Sequence, residues 1–449
     1  FSPGSRVRSG SRVQVRLSSG PFSFVCSLLV TVLACPGRHG FCSTLCAHVK
    51  PSTLVALKAS SDIAGKLAVL GVLGLAARAL TTEAFAWMAI ATTLGWLIAV
   101  ATDAGLQLHL AREVAHAPDH AGRALWPLLD IRLRTFAAGV LVTIIVSFVW
   151  LPARFMAPFA CIAIAYQLTS VVEFFNHAYR GLNRSDIEST LNFVQRAVSF
   201  ALAWLLLKLW PSFTSVAIAM LAPPLLASLV SVSWLIALAP ADASAPPLDR
   251  GALFREVGPI GAGILLSALY FRVDLFLLQH WATAEAVAQY SAVFKLIDAM
   301  RLFPGALLAV VMPRMFRGRD GHFLWKLSLL LTAFGALSMV VGYLLAPIGV
   351  PLAFGAAFAG AVPLFRILTF AFPLLCLNYG LTTQLIGWRG QRAFAVIGGG
   401  LFLSNVAMNL MAIPRWGAAG AAWATVATEV LLSGACVLAL RRAPGRAQP

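Results

Sequence analysis

Residues 84–106 read AFAWMAIATTLGWLIAVATDAGL, with no charged side chain before Asp103. A helix of about 20 apolar residues crosses the hydrocarbon core of a bilayer, so this segment is long enough to be a span. It shows no alternation of apolar and polar side chains, which excludes a strand of a membrane barrel. Comparable runs lie near 53–77, 133–151, 155–179, 187–209, 214–239, 254–280, 287–312, 323–346, 361–385, 393–413 and 418–440, with breaks at Trp210-Pro211, Pro246-Pro247 and Ile413-Pro414. The fold class that follows is an all-α polytopic membrane protein of about twelve transmembrane helices, each satisfying its own backbone hydrogen bonds in lipid.

Composition points the same way. Of the 449 residues, 59% are hydrophobic and 11% charged, and the mean hydropathy is +0.83, whereas a soluble domain carries roughly 25% charged residues. The net charge of +17 would suggest nucleic acid in a soluble chain, but here the bases sit in short breaks between spans, so no nucleic-acid partner is expected. With the N-terminus inside, Arg112, Arg123, Arg184, Arg250, Arg317, Arg389 and Arg441 fall in inner loops, and the outer loops hold little beyond Arg78, Arg154, Lys208 and Arg415. The positive-inside rule then places both termini of a multi-pass inner-membrane protein in the cytoplasm.

Residues 1–52 differ from the rest. They carry bases without acids (Arg6, Arg8, Arg12, Arg16) and four of the seven cysteines, Cys26, Cys35, Cys42 and Cys46. Pro21–Ala34 has the length of a signal-peptide core, and His39 and His48 suggest a metal cluster, yet no close CxxC pair of a zinc site occurs. The segment is expected to be artefactual or disordered and outside the functional chain, with no metal. Cys161, Cys376 and Cys436 fall inside spans and read as small packing residues.

The chain also resembles itself. Displaced by 202 residues, Thr81, Glu83, Ala84 and Ala86 fall on Thr283, Glu285, Ala286 and Ala288; displaced by 203, Pro211 falls on Pro414. Both matches lie in breaks between spans, which suggests two six-helix lobes in parallel repeat around a central cavity. The expected division is 53–240 for the first lobe, 241–252 for a cytoplasmic linker, 253–440 for the second lobe and 441–449 for a basic tail.

Charges inside spans are costly and mark functional sites. In the first span Lys58, Asp62 and Lys66 recur every four residues and share one face; Lys58 can snorkel, but Lys66 lies about 18 Å along the helix at 1.5 Å per residue. The seventh span carries Tyr270, Arg272 and Asp274, and the eighth carries Lys295, Asp298 and Arg301. Ion pairing accounts for part of this pattern. It leaves a positive excess, since Lys58, Lys66, Arg272, Lys295 and Arg301 outnumber Asp62, Asp274 and Asp298, and an unneutralised positive excess in a watered cavity is an anion site. Asp103 reads as a cap or turn before Gly105, Arg366 and Glu429 either pair or stand apart, and Asn405 and Asn409 read as links to a neighbouring helix.

No HExxH, GxSxG or GxxxxGK[ST] pattern occurs, so no catalytic residue, cofactor or enzymatic activity is assigned. The motifs Asp103-Ala-Gly-Leu, Ala111-Arg-Glu-Val, Phe271-Arg-Val-Asp-Leu-Phe-Leu-Leu, Ala288-Gln-Tyr-Ser-Ala-Val-Phe-Lys-Leu, Val311-Met-Pro-Arg and the run from Asn409 to Thr425 resemble the bacterial O-antigen and polysaccharide flippases. Those belong to the multidrug/oligosaccharidyl-lipid/polysaccharide exporter superfamily. The resemblance implies a cavity lined by spans one, two, seven and eight, and translocation of a lipid-pyrophosphate-linked oligosaccharide by alternating access. It further implies the pathway's polymerase and glycosyltransferases as partners beside the lipid-linked glycan and membrane lipid. In that setting Lys58, Lys66, Arg272, Lys295 and Arg301 are the candidate pyrophosphate site, and Tyr270 and Tyr290 the candidate glycan contacts. Asp62, Asp274 and Asp298 orient the bases or carry a coupling ion. The rival readings are an ion-coupled multidrug antiporter of the same superfamily, which should show acids and apolar walls instead of a basic excess, and a membrane glycan ligase or acyltransferase, which needs larger outer loops.

Overall fold

The computed structural model describes residues 51–241, 249–301, 304–305, 307–308, 311, 321–387 and 391–442, and for 51–60, 62, 321, 386–387 and 391–392 the backbone alone. Residues 1–50, most of the expected linker and most of the expected tail therefore lie outside the described residues. So do the first four cysteines.

All regular structure among the described residues is helical. The chain runs through α1 (Pro51–Ala79), α2 (Thr82–Asp103), α3 (Leu106–His116), α4 (Ala121–Trp150), α5 (Ala153–Gly181), α6 (Ser185–Leu209) and α7 (Phe213–Leu238). It continues through α8 (Arg250–Trp281), α9 (Ala284–Met300), α10 (Gly321–Phe354), α11 (Val362–Thr369), α12 (Phe372–Gly387) and α13 (Gln391–Arg442). Helices α1 to α7 pack chiefly on one another, as do α8 to α13; the two sets meet where α2 crosses α8 and α9 and where α1 meets α9 and α10.

The sequence repeat marks equivalent helix starts. Thr81 accepts a hydrogen bond from the Ala84 amide at 3.3 Å, and Thr283 accepts one from the Ala286 amide at 3.2 Å. Each caps otherwise unsatisfied first-turn N–H groups, and Glu83 and Glu285 stand in the first turns, where the helix dipole favours acids. The other matched pair punctuates the chain too: Pro211 precedes α7, and Pro414 precedes a break in α13 where Gly417 adopts φ +55°.

Eight helices among the described residues are long and apolar enough to cross a membrane, or nine if the bent pair Ala356–Thr369 and Phe372–Leu385 forms one span. The difference from about twelve has local causes. Helix α13 holds two expected spans, because its two runs meet at Gly417, whose φ of +55° and ψ of −134° are non-helical. The expected span 287–312 runs past α9 into residues partly outside those described, and in α1 the side chains of 51–60 and 62 lie outside them. Large apolar side chains such as Phe148, Val149, Leu229, Leu344, Ile348 and Leu352 are exposed, an outer surface suited to lipid rather than water.

Small residues let the helices approach closely, since packing rather than hydrophobic expulsion drives association in lipid. Gly95 of α2 lies against the Ala163 backbone of α5, and Gly261 of α8 against the Ala104 backbone between α2 and α3. Beside that second contact, Arg112 of α3 donates to Glu256 of α8 at 3.1 Å, and His109 lies 3.5 Å from the same carboxylate. At the other end of α2, Phe85 packs edge-on against Phe358 with ring centroids 5.2 Å apart, and Arg78 donates to the Leu352 carbonyl. The two helix sets are thus in contact near both ends of α2.

Several local expectations are met. Asp103 accepts from the Gly105 amide at 3.2 Å, holding the turn in which Ala104 and Gly105 both have positive φ. Asn405 donates to Thr428 at 3.2 Å and Asn409 to Asn405 at 2.9 Å, linking the two halves of α13. Cys376 and Cys436 are buried and free, and Cys161 is free and partly buried.

Candidate functional site

Helices α8 and α9 run in opposite directions from the short connection after Trp281, which brings the middle of α8 beside the last turns of α9. Their charges converge on one carboxylate. Asp298 takes Arg272 at 2.5 Å, Arg301 at 3.4 Å and Lys295 at 3.9 Å. Three of the five expected anion-site bases therefore share a single acid, and the cluster keeps a net positive charge.

The bases are held from behind by aromatic faces. The Arg272 guanidinium lies 4.3 Å from the ring centre of Phe294, and that of Arg301 lies 4.4 Å from Phe271 and 5.7 Å from Tyr379. Such stacking orients a guanidinium without satisfying its N–H groups. The Nε of Arg301 is indeed buried without a hydrogen-bond acceptor. The cluster is not sealed, because the side chains of Arg272, Arg301, Lys295 and Asp298 remain 12%, 14%, 24% and 30% exposed. Tyr166 of α5, from the other helix set, lies within electrostatic reach of Arg272, Asp298 and Arg196.

The first span's residues sit differently. Lys66 is exposed on α1, next to Gly65, against which the Arg196 side chain of α6 packs. Lys58 and Asp62 lie on the same helix, with side chains outside the described residues.

Asp274 and the two tyrosines are held by partners outside the basic cluster. Asp274 is buried and accepts from the Tyr290 hydroxyl and from the Leu275 amide, the latter at 2.8 Å. Tyr290 is 1% exposed and also lies 3.3 Å from Thr425, so in this conformation it links α8, α9 and α13 and has no free face for a glycan. Tyr270 is buried as well and donates to Glu429 at 3.0 Å. Arg272 points away from Asp274 to Asp298, two residues along α8 falling on nearly opposite faces.

Glu429, whose partner the sequence leaves open, is not bonded to Arg366, which donates instead to the Tyr343 carbonyl at 3.2 Å. Its carboxylate accepts from Tyr270 and, at 2.7 Å, from Asn378. Glu429 and Arg301 line one cavity of about 240 Å³ between α8, α12 and α13, with Asn378, Tyr379, Thr382 and Ser267. Asn378 and Tyr379 escape sequence reading because they are isolated neutral groups in an apolar run. Among the described residues no group of three or more His, Cys, Asp or Glu is arranged to hold a metal.

A scan against protein-family models matches residues 55–319 to a family described as polysaccharide biosynthesis protein. The chain belongs to that family. No curated protein matches it. Among solved structures it is similar to the lipid II flippase MurJ in an inward closed conformation, with a TM-score of 0.71 at 12% identity over 86% of this chain and 87% of that one. It is also similar to an inward-facing multidrug resistance MATE family transporter of the MOP superfamily, with a TM-score of 0.69 at 13% identity over 92% and 98%. A third likeness is to the Vibrio cholerae MATE transporter VcmN, at 0.57 and 13% over 87% and 97%. The fold of this polysaccharide biosynthesis family member is therefore the MurJ and MATE fold, a multi-pass helical membrane architecture.

Proposed function

We propose that the protein is a flippase that carries a lipid-pyrophosphate-linked oligosaccharide across the bacterial inner membrane for polysaccharide or O-antigen synthesis, by alternating access of its two helix sets. The observation that carries this reading is the overcharged cluster, in which Arg272, Lys295 and Arg301 share Asp298. A pyrophosphate cannot enter hydrocarbon with its charges desolvated. Fixed guanidinium and ammonium groups between the helix sets replace its water, and bidentate arginine geometry suits phosphate oxygens, while the polyprenyl tail stays in lipid. Lys66 on α1 adds a base from the first helix set, with Lys58 on the same helix as a further candidate, and both termini lie in the cytoplasm.

The polysaccharide family favours this substrate over a drug. The fold alone fits a multidrug antiporter equally well, so the test separates the two. Replacing Arg272, Arg301 or Lys66 by Gln removes a charge-assisted phosphate contact worth about 1.5–3 kcal/mol, roughly ten- to a hundredfold in affinity. Surface glycan should be lost at normal expression and insertion. Normal glycan display by all three variants refutes the anion site, and failure confined to variants of Asp274 and Asp298 points to the ion-coupled antiporter.

A further inference from the structure

The pairing around Arg301 is unbalanced in a way the anion site alone does not explain. On one side Arg301 shares Asp298 with two other bases. On the other it faces a cavity that also contains Glu429, and the two feel each other's charge. Glu429 is 1% exposed, and its hydrogen bonds come from neutral groups, Tyr270 and Asn378. Among the described residues no cation lies within ion-pair distance of it. Arg301, whose Nε–H is unsatisfied, thus lines a space shared with an acid that has no ion-pair partner among the described residues.

We infer that Arg301 is a two-position link: Glu429 is neutralised either by a proton or by Arg301, so that proton occupancy of Glu429 and anion occupancy of the basic cluster rise and fall together. This rests on the anion-site reading above. With Glu429 protonated, Arg301 stays with Asp298 and is available to phosphate oxygens. When the proton leaves to cavity water, the carboxylate draws the guanidinium, which remains charged throughout, across the cavity, and the cluster loses one of its three bases. The lone acid is costly in a low-dielectric interior without either partner. A proton, rather than a metal cation, is the exchanging species because Glu429 is met by donors: Asn378 presents its Nδ2, and its Oδ1 is taken by Ser433 at 2.8 Å.

The surroundings leave few competing titrating groups. Helix α8 brings Tyr270 with Asp274 behind it, the end of α9 brings Arg301, α12 brings Tyr379, and α13 itself brings Cys436. Helix α11 contributes Leu368 and no charge.

The test is calorimetric binding of farnesyl pyrophosphate to the full chain in nanodiscs, across pH and in buffers of different ionisation enthalpy. Wild type should take up one more proton on binding than Glu429→Gln, and its affinity should fall more steeply with rising pH, by up to about tenfold per unit for one linked proton. The variant, which mimics protonated Glu429, should bind at alkaline pH as tightly as wild type does at acid pH. Arg301→Gln should bind more weakly and also lose the linked proton, and it serves if the first variant does not fold. Equal proton uptake in wild type and Glu429→Gln overturns the link while leaving the anion site standing. No binding by wild type at any pH overturns both, and a dependence on sodium at fixed pH overturns the proton.

Discussion

Asp298→Asn removes the one acid that Arg272, Lys295 and Arg301 share, at 2.5, 3.9 and 3.4 Å. At an effective dielectric near 20, a pair of charges about 4 Å apart is worth on the order of 4 kcal/mol before desolvation. Removing one partner of a fully buried pair costs about 3–5 kcal/mol net. These side chains are 12–30% exposed, so solvent screening brings the expected loss to about 2–3 kcal/mol. The variant left without its acid should recover that loss when a diphosphate supplies the missing negative charge. A saturating ligand at a hundred times its dissociation constant stabilises the protein it binds by about 2.7 kcal/mol, and the increment should be larger in the variant because the ligand also relieves repulsion among three cations. The assay is apparent thermal unfolding of purified protein, followed by tryptophan fluorescence at one scan rate, with and without farnesyl pyrophosphate. Asp298→Asn should unfold earlier than wild type without ligand and close to wild type with it. A variant as stable as wild type, or a ligand shift smaller than that of wild type, would refute the view that the cluster is an overcharged anion site.

Three further outcomes are expected. A reporter fused after Leu151 should lie outside and one near Arg184 inside, with the C-terminus inside; Arg184 and Arg442 on opposite sides would break the proposed orientation. Arg132→Met should destabilise the protein by about 3 kcal/mol, because Arg132 is wholly buried, 4.0 Å from Asp103 and bonded to Thr102 and Ser170, and unchanged thermal unfolding would count against this. Gly261→Val should prop α8 away from the Ala104 backbone it meets and raise labelling of a cysteine placed at Glu256, where unaltered labelling would show that the contact does not hold the two helix sets together.

The apolar runs were legible because a bilayer imposes a length on every helix that crosses it, and the Thr81 and Thr283 repeat because an N-cap needs a side-chain oxygen at one position. The break between the last two runs was legible too, since Pro414 and Gly417 commonly end helices and Gly417 is non-helical between them. In the site, the pairing of Asp298 with Lys295 and Arg301 followed from their i±3 spacing on one helix, and its pairing with Arg272 required the packing of α8 on α9. Tyr270 and Tyr290 read as aromatic contacts for a sugar because their rings suit that task. Their hydroxyls were in fact claimed by Glu429 and Asp274, partners 159 and 16 residues away in sequence that no local pattern links to them.

The two helix sets hold their buried charge in different ways, and the difference bears on where an anion can sit. In the first, Arg132 ends on Asp103, Thr102 and Ser170, and Arg180 ends on Glu188 at 2.5 Å with Glu173 at 3.8 Å. These two cations each meet at least one acid. In the second, three cations crowd one acid while Glu429, across a shared cavity, is met by an amide and a phenol. A scaffold under pressure only for stability would join Arg301 to Glu429, since an unpaired charge in a low-dielectric interior is costly. On the proposed reading, keeping them apart leaves each open to a partner that comes and goes, a phosphate for the base and a proton for the acid. A carrier needs charge that can be neutralised by its cargo and re-neutralised without it, and this arrangement in α8, α9, α12 and α13 meets that requirement.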